Sequence, residues 1–173
     1  DLRPSLVPME VYEGFPEQIA GLSLKNVSLT LQNNEKICFK EQGEMLFTHF
    51  GISGPLVLSA SAAVDNIGDN CKAYIDLKPA LSEEQLDKRL LRDFEDLKNK
   101  EIQNSLDALL PKKLIMPVIA SAGLPPKTRV NALTKEQRQS LLKIIKALPL
   151  TVTALRGWGE AVVTRGGVSV KEI

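Results

Sequence analysis

With one histidine, two cysteines and one tryptophan in 173 residues, this chain holds few of the side chains from which reactive sites are usually built. Cys38 and Cys71 are too few and too widely spaced for a disulfide framework or a CxxC metal site. Both fall in strand-like runs, so they read as reduced structural residues, and no structural metal is expected. No apolar run approaches the roughly 18 residues of a membrane span, and no basic stretch followed by an apolar one opens the chain as a signal peptide would, which points to the cytoplasm and away from a membrane partner. No G-x-G-x-x-G follows a strand, so there is no tight turn to bring a pyrophosphate onto a helix N-terminus. No G-x-S-x-G elbow is present, and one histidine without an assigned acidic partner is poor support for a triad, which sets hydrolase chemistry aside. The carboxylates Glu10, Glu13, Glu17 and Glu44 form no evident acid/base pair.

The length and the 43% hydrophobic content suffice to bury a core, as one domain or two small subdomains. Patterning divides the chain into β, α and β. Residues 1–80 carry the strand-like runs Leu6 to Tyr12, Leu24 to Gln32, Lys36 to Lys40, Glu44 to Phe50 and Lys72 to Leu77, with a hairpin turn at Asn33-Asn34. In Leu24 to Gln32, Val27, Leu29 and Leu31 point one way and Ser28, Thr30 and Gln32 the other, as in a strand with one wet face. Ser82 with Gln85 and Thr134 with Gln137 read as capping boxes. Helices are expected after Ser82, over about Ile102 to Leu110 and Lys112 to Ala122, and after Thr134. Leu150 to Leu155 and Ala161 to Val163 return to the strand pattern. The expected fold is therefore α+β: an antiparallel sheet or barrel from 1–80 and 150–173, interrupted by a small four-helix bundle over 81–149.

The stretch Gly43-Glu44-Met45-Leu46-Phe47-Thr48-His49-Phe50-Gly51-Ile52-Ser53-Gly54-Pro55 reads as a strand that breaks at a glycine and restarts as a helix, a junction where chemistry tends to sit. Gly51 and Gly54 permit unusual backbone angles and close approach, and Pro55 suits a first helical turn. Ser53 is then an N-cap or a hydroxyl donor to a ligand, with the cap favoured. The free N–H groups of such a helix start suit a phosphate or carboxylate. His49 stands at the same corner beside Thr48. With an ordinary pKa of about 6.5, an imidazole can donate a proton or bind an anion near neutral pH; a hydrogen-bonded structural role is the alternative.

That motif, Gly-Glu-x-Leu-Phe-Thr-His-x-Gly-x-Ser-Gly-Pro, resembles the signature of the BaiN/YhiN-like flavoproteins, a bacterial family of FAD-dependent enzymes with a two-part insert domain. The segment from Glu160 to Ile173, with Arg165-Gly166-Gly167, is similar to the place where that insert returns to the FAD domain, and Pro4-Ser5-Leu6-Val7-Pro8 resembles its beginning. The resemblance implies that this chain, which starts at Asp1 without an initiator methionine and lacks the glycine-rich FAD fingerprint, is an insert between the halves of an FAD-binding domain of the same polypeptide. It implies FAD held by the parent and not by this segment alone, NAD(P)H as reductant, and a small-molecule substrate or ribosomal RNA reduced at an unsaturated carbon. Within that frame His49 is the candidate catalytic residue, as proton donor or anion ligand. Thr48, Gly51, Ser53, Gly54, Arg165, Gly166 and Gly167 are candidate cofactor- or substrate-binding residues. Arg165-Gly166-Gly167 reads equally as a hinge, and Trp158 as a stacking surface or as filling for the end of the β subdomain. The resemblance leaves the oligomeric state open.

Charge is lopsided although the net value is +1. Residues 1–111 hold 11 basic and 18 acidic side chains, net −7, whereas 112–146 hold eight basic residues and only Glu136 against them, net +7. Lys112, Lys113, Lys127, Arg129, Lys135, Arg138, Lys143 and Lys146 suit a polyanion contact or a solvated helix surface. The segment has no Phe, Tyr or Trp, which favours backbone or shape contacts over base stacking. A second reading is accordingly a non-catalytic nucleic-acid or protein binding module built on these helices.

Overall fold

The structure, a computed structural model, describes residues 3–157 and 163–165. Eight strands and five α-helices are found among them. In chain order they are β1 (Arg3–Ser5), β2 (Met9–Val11), α1 (Phe15–Gln18), β3 (Ser23–Asn33), β4 (Lys36–Phe47), β5 (Gly51–Ser53), α2 (Pro55–Ser61), β6 (Cys71–Asp76), α3 (Glu83–Asp96), α4 (Lys112–Ser121), α5 (Lys135–Lys146), β7 (Leu148–Leu155) and β8 (Val163–Arg165). Short 3-10 turns cover Ile102–Asn104 and Val130–Ala132.

Six strands close an antiparallel barrel in the order β2-β5-β4-β3-β6-β7, and β1 pairs with β8 in a separate two-stranded sheet. Closure leaves these six strands no unpaired edge. The alternation read in β3 is the observed one, since Val27, Leu29 and Leu31 are buried and Thr30 and Gln32 are not. The hairpin joining β3 to β4 turns on Asn34 and Glu35, at φ 51° and 68°, the two left-handed positions that a type I′ turn demands. Lys36 to Lys40 and Glu44 to Phe50, expected as separate strands, form the single strand β4, which ends at Phe47.

By compactness the chain divides into two units. The first comprises the described residues of Asp1–Lys25, Leu29–Ala73 and Leu150–Ile173, and the second Asn26–Ser28 and Tyr74–Pro149. Met9, Leu29, Leu31, Met45, Phe47 and Ile52 are fully buried in the first. Leu86, Leu90, Ile102, Leu106 and Leu114 are fully buried in the second.

The second unit holds three α-helices and the two 3-10 turns; a four-helix bundle is not formed. The segment expected as a helix over about Ile102 to Leu110 has its apolar residues at helical spacing, and Ile102, Leu106, Leu109 and Leu110 are indeed buried. Its first amides bond elsewhere. Ile102 N–H donates to Thr128 O at 2.7 Å and Gln103 N–H to Pro126 O at 3.1 Å, while Glu101 and Arg129 form a β-bridge. What forms is two separate short turns: Asn104 and Ser105 N–H bond to Glu101 O and Ile102 O, and Leu109 and Leu110 N–H both bond to Leu106 O. Both capping boxes are present: Gln85 N–H donates to Ser82 Oγ at 3.2 Å and Ser82 N–H to Gln85 Oε1 at 2.9 Å, and the Thr134/Gln137 pair does the same at 3.1 and 3.0 Å.

No helix of the described residues is long and apolar enough to cross a membrane. No group of His, Cys, Asp and Glu among them is placed to hold a metal ion.

Candidate functional site

The expected strand-to-helix junction is a hairpin followed by a helix. β4 ends at Phe47 and β5 pairs back onto it, with Leu46 opposite Ser53 and Phe47 opposite Ile52. Thr48 and Gly51 exchange backbone bonds, Thr48 N–H to Gly51 O at 2.9 Å and Gly51 N–H to Thr48 O at 3.3 Å. His49 and Phe50 are therefore the two central residues of a tight turn. Thr48 Oγ1 accepts from Gly51 N–H at 3.1 Å, so its hydroxyl closes the turn.

The glycines have steric reasons. A Cβ on Gly51 would lie 2.2 Å from Met9 O and 3.0 Å from Val11 N, because β5 packs against β2 at that point. Gly54 sits at φ 91° and a Cβ there would stand 2.9 Å from Met45 Cα, so a side chain is excluded by conformation and by space. Gly54 is also the N-cap of α2, and it makes no side-chain cap bond. This corrects the N-cap expected at Ser53, which is the last residue of β5: the left-handed backbone at Gly54 is what turns the chain into the helix. Pro55 opens α2 as expected, and Leu58 N–H already bonds to Gly54 O at 2.9 Å. The helix has only seven residues.

His49 is exposed at the turn's tip. Its ring meets the Phe50 ring edge-on, with centroids 5.0 Å apart and planes at 81°. Arg156 Cζ stands 4.2 Å over the Phe50 ring, and Arg156 Nη1 donates to Glu10 Oε1 at 2.9 Å. Two backbone bonds fix the frame, Val11 N–H to Phe50 O at 3.1 Å and Arg156 N–H to Pro8 O at 2.9 Å. At the same place the register of β2 against β7 shifts between Glu10 and Val11, a bulge of the kind that re-aims side chains at the rim of a barrel. The structure thus gathers Glu10, His49, Phe50 and Arg156 at one rim. Phe50 stood in the quoted stretch at a position the motif leaves open, and Arg156 had no motif to mark it; the only signal was that each ends or follows a strand-like run.

Other candidates are placed as follows. Arg165 is the last residue of β8, paired in register with Arg3; Gly166, Gly167 and Trp158 lie outside the described residues. Glu13 accepts the Thr151 N–H through both carboxylate oxygens at 2.8 Å, and Glu44 accepts from Ser23 Oγ at 2.9 Å. Both are thereby held in local structure. Cys38 and Cys71 are free thiols, and burial, then the neighbouring Cys38, pushes the Cys71 thiol up to about 11.

The basic segment separates into two groups. Arg138 Nε bonds to Asp87 Oδ1 at 2.8 Å, and Lys146 Nζ reaches Asp76 Oδ2 at 2.7 Å and Lys78 O at 2.9 Å. Burial holds the Lys78 ammonium below its ordinary pKa, with Arg89 adding to the effect. Lys112, Lys113, Lys127, Arg129, Lys135 and Lys143 are exposed. Lys135 and Lys143 line a surface groove of about 410 Å³ along α5 with Glu136, Gln139 and Ser140.

A closed six-stranded antiparallel barrel interrupted by a helical unit, with a histidine-tipped hairpin at its rim, defines a barrel-plus-helix module. Residues 3–163 match the family described as HI0933-like protein barrel and H2TH domain, and the chain belongs to it. Over 177 residues it is 27% identical to a protein named ribosomal RNA dihydrouridine synthase from Escherichia coli (strain K12), covering 99% of this chain and 40% of that one. A ribosomal RNA dihydrouridine synthase of Haemophilus influenzae is 30% identical over 175 residues, with 99% and 40% covered. A 3-dehydro-bile acid delta(4,6)-reductase of Clostridium scindens is 24% identical over 173 residues, with 98% and 42% covered. The chain therefore spans about two fifths of the length of these relatives.

Proposed function

We propose that this chain is the insert, or cap, domain of an FAD-dependent, NAD(P)H-using oxidoreductase, covering the substrate side of the flavin and helping to set specificity. The observation that carries the reading is coverage: almost the whole chain aligns with two fifths of relatives whose names describe a reductase and a dihydrouridine synthase, while the chain itself has no dinucleotide-binding fingerprint. The cofactor-binding parts then belong to the remaining three fifths, and the segment alone is not catalytic.

Among the candidates for a cofactor contact, only backbone groups and hydroxyls of Thr48 to Gly54 and the Arg165-Gly166-Gly167 stretch belong to this chain. The flavin, when bound, supplies the hydride. Reduction of an unsaturated carbon centre also needs a proton at the neighbouring atom, and the exposed His49 imidazole at the hairpin tip is the residue assigned to donate it. The test is turnover of the full-length protein that carries this chain. His49→Ala is expected to lower kcat by about 10²-fold while flavin retention is unchanged; unchanged turnover would make His49 structural.

RNA is the favoured substrate, supported by six exposed cations in a segment with one acid, while the lack of aromatic residues there argues against base stacking. The contacts would be to phosphate, and the non-catalytic RNA-binding module remains the second reading. Removing Lys135 and Lys143 together is expected to weaken binding to a ribosomal RNA fragment across sequences and to reduce the salt slope by about 2. An unchanged slope removes the α5 groove from the account. Binding by this chain alone at full strength, with a full-length protein that holds no flavin, would favour the module over the cap.

A further inference from the structure

His49 makes no side-chain hydrogen bond among the described residues, and it is exposed. Its ring packs against Phe50 in a T-shaped contact. The Phe50 ring in turn carries the Arg156 guanidinium over it at 4.2 Å, and the guanidinium is held by Glu10 at 2.9 Å.

We propose that Arg156, fixed by Glu10, is a positioning residue for His49: it clamps the Phe50 ring and so sets the direction in which the imidazole leaves the turn. The inference rests on the reading of His49 given above. Arginine suits the task because a planar guanidinium can lie flat on an aromatic face while its N–H fork engages a carboxylate, which a lysine ammonium does not do. That carboxylate stands at the register shift between Glu10 and Val11. The two halves of the clamp come from opposite ends of the chain, 146 residues apart, and they meet because β2 lies between β5 and β7 in the barrel.

His49 is the only histidine, so its imidazole C–H signals are unambiguous by NMR in this chain. Arg156→Ala is expected to move them toward free-imidazole positions, with Glu10→Gln moving them the same way and Arg156→Lys restoring them in part. Core methyl signals, unchanged, certify that the variants are folded. Histidine signals that stay put in folded Arg156→Ala would overturn the proposal.

The functional arm is a double-mutant cycle in the full-length protein. Arg156→Ala is expected to lower kcat roughly 3- to 10-fold with little change in KM, because the imidazole then spreads over its about three χ1 rotamers. In a His49→Ala background it is expected to do nothing further. An equal loss in both backgrounds would overturn the positioning role. If His49→Ala itself has no effect on turnover, it is the reading of His49 as proton donor that fails, and the NMR arm still decides whether Arg156 orients the ring.

Discussion

Gly51 shows how the motif's sequence is dictated by strand packing before any ligand is considered. A methyl group there would sit 2.2 Å from a backbone oxygen of β2, and neither strand can move away without opening the barrel. Gly51→Ala is expected to cost more than about 3 kcal/mol, measured by urea denaturation. Gly43 is the control: its nearest neighbour would be the flexible Leu56 Cδ1 at 3.5 Å, so Gly43→Ala should change stability by less than about 1 kcal/mol. A second prediction concerns Cys71, whose thiol ionises near 11 when folded against an ordinary value of 9.0. Below pH 9 both folded and unfolded thiols are protonated and stability does not depend on this group. Above pH 9 the unfolded thiol ionises first, so stability falls by about 2 kcal/mol as pH climbs to 11. Cys71→Ala should remove that component of the pH dependence.

At the scale of elements, the legible features were those set by local chemistry. The two capping boxes, the alternation in β3 and Pro55 at the start of α2 depend on residues within four positions of one another, and each was readable from spacing. The stretch after Glu101 was misread because burial of Ile102, Leu106, Leu109 and Leu110 gives it helical spacing, while its backbone closes two separate short turns and its start is tied to Thr128 and Pro126. Ser53 was misread because the turn into α2 depends on the left-handed backbone of Gly54. The basic segment was legible in sign but not in role. Lys146, its side chain 14% exposed and paired with Asp76 at 2.7 Å, ties the C-terminal end of α5 to its own unit, as does its bond to Lys78 O. Lys146→Ala leaves a half-buried carboxylate without its cation and should cost about 3 kcal/mol. Lys135→Ala, on the exposed face of the same helix, should stay within about 0.5 kcal/mol. Thermal or denaturant melts of the two variants separate structural cations from surface ones.

For the whole molecule, the family was legible because the motif at 43–55 compresses several constraints into thirteen residues: a hairpin turn, a close strand contact and a helix start. The rim around His49 was not legible, because Glu10 and Arg156 become neighbours only through barrel closure. Removing the module tests the proposed cap role. In the full-length protein, residues 3–163 are replaced by a short Gly/Ser linker, and flavin content, flavin reduction by NAD(P)H and substrate reduction are measured side by side with the intact protein. A protein that remains yellow, whose flavin is still reduced, and which no longer reduces substrate is the predicted result. Substrate reduction at the intact rate would contradict the assignment of this chain as the cap on the flavin's substrate side.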